Sequence, residues 1–367
     1  MSTPSAFSAH NPQLQVAWDS TSIGSFMFCP RRYEYEILNG YVGSSTDLEF
    51  GIMFHKAVEV FTRARLSGST RDAAQLLALR CALDISGRRT EEGAWVPWGG
   101  CYVDQWRCTG TEPYKNEKGN KAKCPFSHKG HFFPTPGPSI CGQCGSAVEV
   151  ASNWLPIAPA KDRLTLIRLV VWYCEEQPTD LRDGVLPVSF ADGTAAVELP
   201  FRIPMPWKNG HGETIILCGY LDRIVTFGTE GLTVDLKTTK KGLTKGYFET
   251  FAPNIQFDIY DLAGALLFPD WALRGIMVDA AQTLVGGANF GKHIVYHTDT
   301  QREELIEDLR YWTEQAEAAA KRGYWPMNRR NCWLCPFKGV CRMEPGKRKM
   351  FLDANFSRRE WNPLAER

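Results

Sequence analysis

Residues 214–239 read TIILCGYLDRIVTFGTEGLTVDLKTT, and the fold turns on how this stretch is understood. Its two runs, TIILCGYLDRIVTF (214–227) and LTVDLKTT (232–239), are rich in β-branched and apolar residues and are bounded by turn residues such as Gly228, which predicts two successive strands. The first carries Gly219-x-x-Asp222, and the second carries Asp235-Leu236-Lys237. Two carboxylates on adjacent strands can supply oxygen ligands to one side of a hard cation, with magnesium or manganese the natural occupant. Because side chains alternate along a strand, Asp235 and Lys237 project to the same side. An ammonium placed there can orient a water and balance developing negative charge. Taken alone, Asp-x-Lys most often marks a solvated surface pair. Here the strand is apolar before the acid and threonine-rich after the lysine, and a partner carboxylate lies one hairpin away.

Outward from this hairpin, AAVELPFRIPM (195–205) predicts a preceding strand carrying Glu198, and IMVDAAQTLV (276–285) and KHIVYHT (292–298) predict two following ones. Helical periodicity marks residues 22–38, interrupted near the start by Cys29-Pro30. It marks FGIMFHKAVEVFTRAR (50–65) as well, where Phe54, Val58 and Phe61 share a stripe, together with 73–85, 161–176, NIQFDIYDLAGALL (254–267) and 300–322. Helices, strands, helix, strands and helix in this order predict an α/β domain around one central mixed sheet, with a helical N-terminal section.

Hydrophobic residues make up 44% of the chain, charged residues 23%, and the formal net charge is +1. A nucleic-acid partner must therefore be met by local basic patches rather than by overall charge. No run reaches the roughly 20 apolar residues of a membrane span. The start, MSTPSAFSAHNPQLQ, lacks the order of a signal peptide, so a cytoplasmic location is expected. Twelve cysteines in a reducing compartment point to metal ligation rather than to disulfides. With no G-x-x-x-x-G-K-[ST] loop in the sequence, ATP-driven unwinding would need a helicase or recombination partner.

The cysteines fall into groups. Cys332-x2-Cys335-x5-Cys341 is a compact trio, and with Cys29 it offers four thiolates suited to a cubane cluster or to zinc. Such a centre would staple the first helix to the tail. The stretch 95–150 is rich in Gly, Pro, Lys and Cys with little periodicity, which predicts an inserted module. Within it ICGQCGS places Cys141 and Cys144 as a zinc half-site, with Cys108 and Cys124 as the other half and Cys101 or His128 as substitutes. Lys115, Lys118, Lys121, Lys123 and Lys129, interleaved with Tyr114, Phe126 and Phe132, suit either a DNA-gripping surface or a solvated face of a module that needs zinc to fold. Cys81, Cys174 and Cys218 lie in apolar elements and read as core.

Gly51-x-x-x-His55, Gly219-x-x-Asp222, Asp235-x-Lys237 and Gln256-x-x-x-Tyr260, in this order, resemble the signature of RecB-like nucleases of the PD-(D/E)XK superfamily. The resemblance implies a restriction-endonuclease-like fold in which His55, Asp222, Asp235 and the backbone carbonyl of Leu236 hold the cation, Lys237 activates water, and Gln256 and Tyr260 shape the site. Many relatives carry Glu where this chain has Asp235, and Glu198 resembles a position that is often acidic. One cysteine near the start and three after the core are similar to the pattern of CRISPR-associated RecB-like exonucleases and AddB-type nuclease domains, which implies a [4Fe-4S] cluster on Cys29, Cys332, Cys335 and Cys341. The expected organisation is a helical front (1–94), a zinc-binding insertion (95–150), a nuclease core (151–327) and a cluster-bearing tail (328–367). The expected activity is metal-dependent DNA exonucleolysis on single-stranded or end-bearing DNA, in recombination, repair or CRISPR-type processing. The rival readings are an endonuclease of the same fold, an RNA-directed nuclease and a non-catalytic DNA-end-binding or assembly subunit.

Overall fold

Helix boundaries in the front section follow from local chemistry. The computed structural model describes the chain except residues 1–4, 44, 90–94, 116–117, 125–137, 159, 180–185, 228–229, 272 and 366–367. After a short strand β1 (Ala17–Trp18), helix α1 (Ser20–Phe28) starts at Asp19, whose carboxylate accepts the Ser22 N–H while the Ser22 hydroxyl accepts the Asp19 N–H. Extended backbone at Cys29 ends α1, and Pro30 opens α2 (Pro30–Tyr33) at a position where a missing N–H leaves no helical bond unmade. A π-helical turn, Glu34–Leu38, and strand β2 (Tyr41–Val42) follow, so the helix expected over 22–38 is three short pieces. Helix α3 (Thr46–Leu66), capped by the Ser45 hydroxyl, buries Phe50, Phe54, Val58 and Phe61 on one face. Helix α4 (Arg71–Ile85) packs along α3.

By its internal contacts the chain divides into two units, one formed by Met1–Ile85 with Leu166–Arg367 and the other by Ser86–Thr165. The second unit holds β3 (Gly87–Arg89), β4 (Trp95–Pro97), β5 (Gly100–Cys108), β6 (Tyr114–Lys115), β7 (Lys121–Ala122) and β8 (Val148–Pro156). Strands β5 and β8 form a continuous antiparallel ladder from Gly100↔Pro156 to Cys108↔Val148. This ladder was not foreseen from a stretch that reads as irregular. Its two strands stand far apart in sequence, and a local window sees neither one's partner.

The remaining elements of the chain are α5 (Arg163–Glu176), β9 (Leu186–Pro187), β10 (Val197–Lys208), β11 (Thr214–Phe227), β12 (Glu230–Thr239), α6 (Lys245–Phe248), α7 (Ile255–Leu267), β13 (Leu273–Leu284), β14 (Gly287–Tyr296), α8 (Asp299–Arg322), α9 (Lys338–Arg342), α10 (Arg348–Asn355) and β15 (Ser357–Arg358). Among the described residues seven strands form one mixed sheet in the order β1-β11-β12-β13-β14, with β9 and β10 on the other edge of β11. The pairs β1–β11 and β12–β13 are parallel, while β10–β11, β11–β12 and β13–β14 are antiparallel. Helices α1, α7 and α8 share a buried core with one face of the sheet, through Phe26, Phe257, Leu262, Leu309, Val278 and Ala280. The other face takes α3 and α5, where Tyr173 packs edge-on against Phe54 and Phe290.

A charged group lies beneath that second helical layer. Arg223 on β11 pairs with Asp279 on β13, and the Tyr173 hydroxyl donates to Asp279 at 2.6 Å while accepting from Arg223 at 2.8 Å. Burial opposes the Arg223 charge, and Tyr173 and Asp279 outweigh it to hold the guanidinium protonated. Removing one partner strands the other in an apolar layer. Asp279→Ala is therefore expected to lower the unfolding free energy by about 3–5 kcal/mol in urea titrations. Tyr173→Phe, which deletes only a hydroxyl, is expected to cost about 1–2 kcal/mol in the same measurement.

Candidate active site and cysteine centres

Strand β11 is long enough to serve two neighbours on one edge. Near its start Ile216 and Leu217 pair with β1, and from Arg223 to Phe227 it pairs with β12. The β11–β12 ladder stops at Arg223↔Val234, so Asp222 and Asp235 stand where the strands part. There the Asp222 carboxylate takes over from the ladder and accepts the Leu236 N–H at 2.9 Å. From α3, His55 brings Nδ1 to 3.3 Å from the same carboxylate oxygen.

Lys237 is fixed from three sides. Lys237 Nζ lies 2.7 Å from Asp235 Oδ2, donates to Gln256 Oε1 at 3.0 Å and sits 5.5 Å from the centre of the Phe257 ring. Gln256 closes the triangle by donating from Nε2 to Asp235 Oδ1 at 3.2 Å. It stands in the first turn of α7, whose cap is Asn254. Tyr260, one turn further on, lies beside Gln256 and Ser20, and burial pushes its phenol well above the usual range. Gly219 has a steric reason: a Cβ there would come 2.8 Å from the Phe201 ring, which lies across β11 and meets Tyr260 edge-on.

Burial raises the Asp235 carboxyl, Lys237 opposes the rise and Asp222 adds to it. Asp235 Oδ2 meets the Lys237 ammonium at 2.7 Å, and Oδ1 accepts from Gln256. A buried carboxylate within electrostatic reach of a second carboxylate and an imidazole is a donor set that fits a hard divalent cation. The ligand atoms that lie within 4.8 Å of one another are those of His55, Asp222 and Glu198, so Glu198 enters this set while the expected ligand Asp235 stands outside it. Among the described non-glycine residues Glu198 alone has a positive φ, 51°, and such strain gathers at functional sites. Phe257, Ser20 and Phe201 were missed in the sequence. Phe257 follows Gln256 directly, and the apolar periodicity of α7 hides it among ordinary core positions.

In the second unit the sulfurs of Cys108, Cys124, Cys141 and Cys144 all lie within 4.8 Å of one another, with Cys108–Cys144 at 3.3 Å and Cys124–Cys141 at 3.7 Å. Burial works against a Cys144 thiolate, but hydrogen bonds from Ser146 and the neighbouring thiols bring its pKa down to about 6. Of the substitutes, His128 lies outside the described residues, as do Lys129, Phe126 and Phe132, and Cys101 is described only as a backbone position in β5. Lys115, Lys118, Lys121 and Lys123 are exposed.

The terminal cysteines meet at the α1–α2 junction. Cys29 is buried and its sulfur accepts the Asn328 N–H at 3.2 Å, while Asn328 and Asn331 both donate side-chain N–H groups to the Phe28 carbonyl. Burial raises the thiols of Cys335 and Cys341, and Cys29 adds to both, Cys332 to the first. The four are thus within electrostatic reach, yet no three of their sulfurs lie within 4.8 Å of one another. Cys174 and Cys218 are core residues, whereas Cys81, expected there, is partly exposed on α4.

A mixed sheet flanked by helices, with acids at the point where strands diverge, is a restriction-endonuclease-like α/β fold. Residues 155–342, just over half of the chain, match the PD-(D/E)XK nuclease superfamily. The chain belongs to that superfamily of nucleases, which are hydrolases and typically use divalent metals. The matched span holds Asp222, Asp235, Lys237, Gln256 and Tyr260 together with the three tail cysteines, while Cys29 and His55 precede it. Among solved structures, one described as "Crystal structure of SSO0001" is similar at 11% identity with a TM-score of 0.24, over 40% of this chain and 59% of that one. The chain thus spans less than two thirds of that relative, and a likeness this low supports no assignment. No curated protein matches the chain. Among the described residues no helix is long and apolar enough to cross a membrane.

The strained backbone at Glu198 gives a direct expectation. Glu198→Gly should be more stable than Glu198→Ala by about 1 kcal/mol in urea unfolding, because only glycine occupies a left-handed φ without a steric penalty.

Proposed function

We propose that this protein is a RecB-like, metal-dependent DNA exonuclease of the cytoplasm, acting in recombination, repair or CRISPR-type processing. The observation that carries the reading is the convergence of His55, Asp222 and Asp235 beside Lys237 where β11 parts from β12. In this reading His55, Asp222, Asp235 and the carbonyl of Leu236 hold magnesium or manganese, with Glu198 as a further carboxylate on the His55 side. When bound, the cation supplies Lewis-acid charge to the phosphoryl oxygens. Lys237 orients the attacking water and offsets negative charge as it develops, Gln256 fixes the ammonium against Asp235, and Tyr260 packs beside Gln256.

The cysteine groups are proposed to hold different metals. Zinc bonds to sulfur at about 2.3 Å in a tetrahedron, which sets sulfurs about 3.8 Å apart. Cys108, Cys124, Cys141 and Cys144 suit that spacing. The wider separation of Cys29, Cys332, Cys335 and Cys341 suits a [4Fe-4S] cluster, in which each thiolate meets its own iron. Exposed lysines of the second unit favour its contact with DNA backbone. Preference for ends, and a helicase or recombination partner, rest on the resemblance to iron-sulfur nucleases.

With manganese supplied, Lys237→Ala is expected to lower DNA cleavage by about a hundred- to a thousandfold while leaving DNA affinity unchanged. If the unaltered, cluster-intact protein degrades no DNA, a DNA-end-binding subunit is the correct reading instead. Metal analysis of anaerobically purified protein is expected to give about four irons and one zinc per chain. Cys332→Ser should lose the iron alone, and Cys141→Ser the zinc alone.

A further inference from the structure

Helix α7 carries Gln256 on one face, and its other face bears charges that the cleavage reaction does not use. Asp258 and Asp261 project from α7 toward the start of α8. His297, between β14 and α8, sets Nε2 at 2.9 Å from Asp258 Oδ1 and Nδ1 at 3.7 Å from Asp261 Oδ1. Arg302 in the first turns of α8 places Nε 2.7 Å from Asp261 Oδ2 and Nη1 2.7 Å from Asp299. The side chains of Asp261 and His297 are only 1% and 9% exposed, so these are buried charges rather than a solvated pair. Asp258, His297 and Arg302 line a cleft together with Gln301, Glu304 and Asp308 from α8.

We propose that His297 and Arg302 are positioning residues that clamp α7 by Asp258 and Asp261, so that Gln256 holds the Lys237 ammonium against Asp235. The proposal rests on the reading of Lys237 as the water-orienting residue. Its geometry is short-range: Asp258 is two residues from Gln256 and Asp261 is one from Tyr260, so a shift of the clamped turn moves both. A side chain with two hydrogen-bonded partners in the site tolerates little displacement before one bond is lost.

The clamp also has a pH window. The hydrogen bond to Asp258 and then the nearby Asp261 carboxylate raise the His297 imidazole from 6.5 to about 9, against the opposing effect of burial. Burial works against the Asp261 charge, and His297 and Arg302 outweigh it, holding the carboxyl below its ordinary range. A folded-state value above the unfolded one means that the contribution of His297 is complete below about 6.5 and is lost as pH rises through about 9. Arg302 keeps its charge throughout, so α7 loosens there without detaching.

Two readouts on the full-length protein test this, and one needs no activity. Nuclear magnetic resonance of the Gln256 side-chain amide should show a transition with a midpoint near 9 in the unaltered protein. His297→Arg, which keeps a cation at every pH, should abolish that transition, and His297→Gln should show the shifted amide already at pH 7. In manganese-supported cleavage His297→Gln should lower kcat by about tenfold or more with KM within about twofold, and His297→Arg should restore kcat. An amide that titrates alike in all three proteins overturns the clamp, as does an altered amide that leaves kcat untouched. Should the unaltered protein cleave no DNA, the nuclease reading fails while the amide titration still decides whether the clamp exists.

Discussion

The site depends on one constraint: β11 must leave β12 after Arg223↔Val234, and the bond that lets it do so runs from the Leu236 N–H to the Asp222 carboxylate. Buried backbone donors need partners, and a strand that stops pairing abandons one. Here a side chain from the departing strand takes the donor. Asp222 is thereby aimed into the gap rather than along a sheet face, and its position is coupled to the backbone of the residue between Asp235 and Lys237. A change of strand angle would move acid, carbonyl and lysine together, which suits groups that must keep one mutual geometry.

A gap in the sheet edge also explains how helices on opposite faces serve one centre. Within an unbroken sheet His55 of α3 and Gln256 of α7 would be separated by the strand layer. At the divergence both reach in, His55 to Asp222 and Gln256 to Asp235 and Lys237. Charge then accumulates in a place with little water, and the protein answers with pairing on both sides. Arg223, next to Asp222 in sequence but turned to the other face, is tied to Asp279, and Asp261 behind Gln256 is tied to Arg302 and His297. Single losses in such arrangements strand a partner, so these pairs fix the strands and the helix that bear the site more than they add net stability.

Much of this was legible in the sequence because the signals are local. Alternation and turn residues gave β10 to β14, and apolar periodicity gave α3, α7 and α8. The ordered motifs named Asp222, Asp235, Lys237, His55, Gln256 and Tyr260, which the fold gathers in one place. What stayed hidden needs long-range information. The β5–β8 ladder joins segments about forty residues apart, and the π-helical turn after Tyr33 depends on packing against Phe337 and the tail. The strain at Glu198 is a backbone property that its strand pattern conceals. Phe257 looks like any buried aromatic until Lys237 is seen over its ring.

The cysteines show where sequence spacing stops and distance takes over. Both groups contain Cys-x2-Cys, and that pattern suits zinc and iron-sulfur ligation alike. Separation discriminates, because one ion gathers four sulfurs around a single point whereas a polynuclear cluster sets its own width between them. Among the described residues, the group in the second unit alone has four sulfurs as close as a single ion requires. The terminal group is held from outside instead: Asn328 and Asn331 tie the tail to Phe28 and Cys29, and Arg31 donates to the Trp325 carbonyl at 2.7 Å. Protein hydrogen bonds thus tie the tail to the α1–α2 junction that carries Cys29.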